Sequence, residues 1–194
     1  MPCMPARREL HTGRYNFLHR SWGPLEPFDY SCFQALDGCG VYTHLITDHS
    51  HYWEDGGATY HNRYSSWEGF RGQEGDLWAP RDVIEGLPAG MSTLQKARGP
   101  SPLQHEANKS RQPLERDMST VLTVGAGLDF LAAHASRDDW FVQIECFDPH
   151  EPLYVPQEYR AAIGLTDPPR LNWPAYAAVD AEVHASELEE CRRE

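Results

Sequence analysis

With 194 residues, 40% of them hydrophobic and 24% charged, the chain has the composition of a globular domain long enough to bury a sizeable core. Its 29 acidic against 17 basic residues give a net charge of −12, which argues against a nucleic-acid partner, because phosphates need a basic footprint. Five cysteines, an odd number with no C-x-x-C pair, fit neither a disulfide framework nor a structural zinc site, and no apolar run approaches the roughly 18 residues that span a membrane.

The first predicted element is a helix over Pro5–Leu10, with proline where its missing N–H costs nothing and Gly13 as the natural stop. Its N-terminus points at Cys3 and would make a pocket of positive potential suited to an anion. A second short helix is predicted over Tyr30–Leu36, closed by Gly38 and Gly40. The β-prone run Val41–Thr47 then reads as a buried strand. From Asp48 to Trp78 the chain is aromatic, His-rich and Gly-rich without helical periodicity, the pattern of a long functional loop. Residues 98–113 are polar and patternless, and the expectation is an exposed loop. Leu114–His134 carries Met118, Val121, Leu122, Leu128, Leu131 and Ala132 at the spacing of an amphipathic helix, with Gly125 and Gly127 weakening its middle. Trp140–Phe147 is a second strand, capped by Asp138-Asp139, and it runs into Asp148-Pro149-His150-Glu151-Pro152. Residues 177–194 are acid-rich and read as a solvated helix. Strands alternating with helices predict an α/β sheet whose ligands lie at the C-terminal strand ends. The residues are expected to form one domain.

The chemistry concentrates at the start. Residues Cys3 to Arg14 read C-x-P-x-R-x-x-L-x-T-G-R. This stretch resembles the signature of the sulfatase family. In that family the cysteine is oxidised after synthesis to formylglycine, an aldehyde whose hydrate presents two hydroxyls on one carbon. One attacks sulfur and displaces the alcohol. The other loses its proton, and the adduct expels sulfate and restores the aldehyde, so one hard step becomes two. The resemblance implies that a formylglycine-generating enzyme reads Pro5 and Arg7 during maturation. It implies further that Arg7 holds the hydrated aldehyde by charge-assisted hydrogen bonds.

Two further segments extend the resemblance. Thr47-Asp48-His49-Ser50-His51-Tyr52-Trp53-Glu54-Asp55-Gly56-Gly57 stands where many sulfatases carry Gly-Lys-x-His, with Asp48 near the lysine position. The resemblance implies a sulfate contact from His49 or His51, since an imidazole can donate to a sulfate oxygen or shuttle a proton near neutral pH. Two other readings stay open: a structural network of Asp48, His49 and His51, and a metal site of His49, His51 and His61. The turn after the second strand matches the family's Pro-His-x-Pro, with His150 as general acid for the departing alcohol. A tight turn whose histidine caps neighbouring carbonyls is the structural alternative. Thr59–Glu68 is expected to shape a substrate pocket, and Leu153–Tyr159 and Leu171–Tyr176 to be scaffold.

The resemblance implies an alkaline-phosphatase-like three-layer sandwich with a mostly parallel central sheet, truncated at both ends. It also implies one divalent cation, calcium, bound by oxygen ligands. The family's Asp-Asp strand and later ligands have no match here, so residue 3, as formylglycine, is the one metal ligand that carries over. These 194 residues alone are therefore expected to be inactive. The implied substrate is a sulfated small molecule or carbohydrate. A phosphonate or phosphate monoester hydrolase of the same superfamily and a truncated, non-catalytic remnant are the alternatives. With no secretory signal or membrane segment in the sequence, cytoplasmic and periplasmic or secreted placement are both open.

Overall fold

The computed structural model describes residues 3–16, 22–86 and 101–165, together with Trp173 and Ala185. The chain divides into two compact units, one of Met1–Arg71 with Met118–Phe147 and the other of Gly72–Asp117 with Asp148–Glu194. The acidic helix expected over 177–194 lies outside the described residues except for Ala185, as does the 171–176 segment except for Trp173.

The first unit is a mixed α/β body built on three parallel strands. β1 (Tyr42–Thr47) is central, with β2 (Ser66–Gly69) on one side and β3 (Trp140–Glu145) on the other. The register pairs His44 with Ser66 across one ladder and Tyr42 with Trp140 across the other. Both strands expected from sequence are present, and the second is shorter at its end than the expected Trp140–Phe147. β2 lies inside the stretch read as loop. It is four residues long, too short for an alternating pattern to show.

Side chains alternate across a strand, so each face of the sheet has its own partners. Leu45 faces α1 (Cys3–Thr12) and α2 (Cys32–Gly38), in an apolar cluster with Met4, Leu25, Phe33, Tyr52, Tyr60 and Tyr64. Both helices lie where the sequence put them. Gly13 follows the first and returns its N–H to Glu9 O at 2.8 Å. The guanidinium of Arg8 fixes the last turns of α1, bonding both oxygens of Asp29 at 2.9 and 3.1 Å and Asn16 Oδ1 at 3.0 Å.

The other face is covered by α4 (Ser119–His134), reached in chain order after α3 (Ser101–Ser110) of the second unit. His44 stacks on Phe130 with ring centroids 4.9 Å apart. Here the expected amphipathic face is inverted. Val121, Leu122, Leu128 and Leu131 are exposed, Leu128 to 62%, while Ser119, Thr123, Gly127 and Phe130 are buried. Close approach explains it: a Cβ on Gly127 would stand 2.5 Å from Ile144 Cδ1, so a small residue there lets the helix approach β3. Gly127 therefore serves packing rather than weakening the helix.

In the second unit, α3 occupies the stretch expected to be an exposed loop over 98–113. It buries Gln104, His105, Ala107 and Asn108. Its buried face is largely polar, with Gln104 and Asn108 held by hydrogen bonds, which hides it from a search for apolar periodicity. Asn108 Nδ2 donates to Asp76 O at 2.8 Å, its Oδ1 accepts from Ala79 N at 3.1 Å, and Gln104 Nε2 donates to Ala79 O at 2.7 Å. A short α5 (Gln157–Ala162) follows Pro156. No helix among the described residues is long and apolar enough to cross a membrane.

Candidate active site at the C-terminal edge of the sheet

β1 and β3 run in parallel, so their C-terminal ends open on the same edge, and chain leaving that edge is freed from the ladder to carry side chains. At the end of β1, Asp48 is fully buried. Its Oδ1 accepts the Phe147 N–H at 2.7 Å and its Oδ2 accepts the Thr120 hydroxyl at 3.0 Å, joining the ends of β1 and β3 to the first turn of α4. The residue read as standing near a sulfate-binding lysine position is thus a buried brace.

The brace leads into a 3-10 turn over Ser50–Trp53. His49 caps it, 4% exposed, and its Nδ1 accepts the His51 N–H at 3.3 Å. An accepting Nδ1 carries no proton, so the neutral ring is protonated on Nε2. The His49 and His51 rings lie 4.9 Å apart, and Phe147 meets His49 edge-on at 4.7 Å. His51 Nδ1 lies 2.7 Å from Glu54 Oε2, and this hydrogen bond holds the Glu54 carboxyl below its ordinary pKa. The Glu54 contact thus fixes the orientation of the His51 ring.

Gly57 closes this loop by close approach. A Cβ there would fall 1.6 Å from His51 O, and its nearest neighbours are backbone atoms that cannot swing aside. Gly57→Ala is expected to lower stability by about 1–3 kcal/mol through overpacking, read as a drop in the urea midpoint. An unchanged midpoint would show that the loop closes in another way.

Cys3 is the first residue of α1 and is partly buried, with its thiol free. Arg7 follows one turn later on the same face. Its guanidinium pairs with Glu145 Oε1 at the end of β3 and lies over the Tyr52 ring, 5.2 Å from the centroid. Glu145 Oε2 accepts the Tyr52 hydroxyl at 3.1 Å and Gln143 Nε2 at 2.8 Å, and Tyr64 donates to Gln143 Oε1 at 2.8 Å. Burial pushes the Tyr52 phenol above its ordinary pKa, against the pull of Arg7, so it stays a neutral donor. Arg7 Nε is buried and meets no hydrogen-bond acceptor among the described residues.

The expected site residues thus fall in two places. Cys3, Arg7, His49 and His51 belong to the sheet-bearing unit. Arg7 and His49 share Tyr52 as a neighbour, the His49 and Tyr52 rings lying 6.1 Å apart. His150 belongs to the second unit, in a turn whose Asp148–Pro149 and Glu151–Pro152 peptides are cis. His150 Nδ1 lies 2.7 Å from Glu151 O, a carbonyl contact of the kind the structural alternative anticipated. Asp148 Oδ2 accepts Gln73 Nε2 at 3.0 Å. His61 stands among Trp53, Trp67 and Tyr52. Among the described residues, no group of three or more His, Cys, Asp or Glu is gathered as a metal site would require.

Sequence reasoning missed Glu145, Tyr52 and Gln143. One signal for Glu145 was present: it is the single charge in Trp140–Glu145, and it stands at the strand's C-terminal end, where ligands of parallel sheets bind.

No protein-family model, curated protein or solved structure matches the chain.

Proposed function

We propose that the chain carries the nucleophile half of a sulfuric ester hydrolase, in which Cys3 is converted to formylglycine. The observation that carries this reading is the pairing of Cys3, at the N-terminus of α1, with Arg7 one turn on and held by Glu145 at the strand end. The helix N-terminus offers positive potential. The buried Arg7 Nε is a donor in want of an acceptor, and an anionic oxygen would meet that need. The parallel sheet with helices on both faces supports an alkaline-phosphatase-like sandwich as the wider architecture.

In the proposed mechanism, Arg7 orients the hydrated aldehyde. One hydroxyl of the hydrate attacks sulfur, and the S–O bond to the alcohol breaks. His51, through Nε2, or His49, through Nε2–H, contacts the sulfate oxygens. His150 protonates the departing alkoxide, a role assigned on the resemblance alone. The second hydroxyl then loses its proton, the carbon–oxygen bond to the sulfate breaks, and the aldehyde returns. Water is consumed once per turnover, in rehydrating the aldehyde. The resemblance also implies a calcium ion. The described residues gather no ligand set for it, and no step above runs through it.

The test is mass spectrometry of the Cys3 peptide after co-expression with a formylglycine-generating enzyme, which supplies the oxidising system. Conversion of the thiol to the aldehyde is expected to lower the peptide mass by about 18 Da. Arg7→Ala should reduce conversion, because the modifying enzyme reads that arginine. A Cys3 that stays an unmodified thiol would refute the reading.

A further inference from the structure

We propose that Glu145 is a positioning and specificity-determining residue: it holds Arg7 and sets the local charge so that the site prefers a monoanionic sulfate ester to a dianionic phosphate ester. The inference rests on the reading of Cys3 and Arg7 given above.

Glu145 is more than an ion-pair partner. Its two oxygens receive three donors, the Arg7 guanidinium, the Tyr52 hydroxyl and the Gln143 amide. The amide is itself oriented, because Tyr64 donates to its oxygen. The Arg7 and Glu145 side chains are only 12% and 16% exposed, so solvent screens the pair weakly. The carboxylate is fixed before any ligand arrives, and it fixes the guanidinium in turn.

The charge arithmetic follows. Arg7 contributes +1 and Glu145 −1, and Tyr52 is neutral. An anion approaching Arg7 therefore meets a cation whose field is largely cancelled, while directional N–H donors remain. A sulfate monoester carries one negative charge and a phosphate monoester at pH 8 carries two. The attraction to Arg7 and the repulsion from Glu145 both scale with ligand charge, so with the two nearly cancelled a dianion gains no added attraction to offset its larger desolvation cost. Geometry binds either tetrahedral group; the Glu145 charge separates them.

Isothermal titration of 4-nitrophenyl sulfate and 4-nitrophenyl phosphate at pH 8 into the unmodified Cys3 protein, which cannot turn them over, reads this directly. The wild type is expected to bind the sulfate ester more tightly. Glu145→Gln should move the ratio of the two dissociation constants toward phosphate by about tenfold. Glu145→Asp keeps the charge and loosens the geometry, so both ligands should weaken with the ratio held. If Glu145→Gln does not fold, Gln143→Lys, which neutralises Glu145 in place, should move the ratio the same way. A ratio unmoved in the charge-changing variants, or a wild type that binds neither ester, overturns the inference. The mass of the Cys3 peptide is independent of these numbers. A converted Cys3 with an unmoved ratio sinks this inference alone, whereas a moved ratio with an unconverted Cys3 sinks the hydrolase reading and leaves a charge-selective anion site.

Discussion

Asp48→Ala is expected to cost about 3 kcal/mol of stability, enough to unfold a marginal domain. The substitution removes a fully buried carboxylate and takes this acceptor from two groups, the buried Phe147 N–H and the half-buried Thr120 hydroxyl. An unsatisfied buried donor costs about 1–3 kcal/mol, and the emptied volume adds to it. Asp48→Asn separates hydrogen bonding from charge. Its Oδ1 can still accept from Phe147, and its amide can donate to the Thr120 oxygen, so a loss below about 1.5 kcal/mol is expected if the bonds are what matters. An Asn variant as damaged as the Ala variant would shift the account to the negative charge at the first turn of α4, where the helix dipole favours an anion. Urea unfolding followed by tryptophan fluorescence measures both variants. A neutral Asp48→Ala would mean that the strand ends are held by other contacts.

The same residue shows what the sequence could and could not say. Elements whose signals are local were legible. Pro5 in the first turn and Gly13 after the last mark α1, and β-prone runs mark β1 and β3, because propensity and capping act within a few residues. Features that depend on distant partners were not. Arg7 and Glu145 are 138 residues apart, and Tyr52 and Glu145 are 93 apart, so nothing near Arg7 announces the carboxylate that holds it. α3 stayed hidden because Gln104 and Asn108 are buried through hydrogen bonds rather than apolar contacts. α4 was found, but on the wrong face, because Gly127 and Thr123 buy close approach to the sheet where periodicity looks for leucines. Cys3, His49 and His51 were singled out by the family resemblance, and their chemistry stands as the proposal above. Asp48 was legible as a residue near the family's lysine position or as part of a structural network with His49 and His51, but its partners Phe147 and Thr120 needed the fold.

Acid is expected to destabilise the sheet-bearing unit through His11. His11 lies on α1 and is 1% exposed. Its Nδ1 is 2.9 Å from Ser31 Oγ, and its ring sits edge-on to Phe33, Tyr60 and Tyr64. Burial first, then the charges of Arg63 and Arg7, lower its pKa to about 3. The unfolded chain takes the same proton near pH 6.5. Between those values the unfolded state binds more protons, so stability falls as pH falls, by up to about 1.4 kcal/mol per pH unit. In the second unit, His105 is buried and likewise lowered to about 3, chiefly by desolvation, and it adds a loss of the same sign there. Glu54, held below the ordinary carboxylate range, gives up its contribution only at lower pH, when its own proton binds. The window from about pH 6.5 to 5 therefore belongs to the histidines. Urea midpoints collected across it should decline with acid. The double variant His11→Phe with Ser31→Ala removes both partners of one buried bond and should flatten the decline by one histidine's share, and an unaltered slope would sink the assignment. His11, Cys3 and Arg7 ride on one ten-residue helix. A neutral imidazole anchors one end of that helix, and the proposed nucleophile stands at the other, so protonating the anchor releases the element that aims the site.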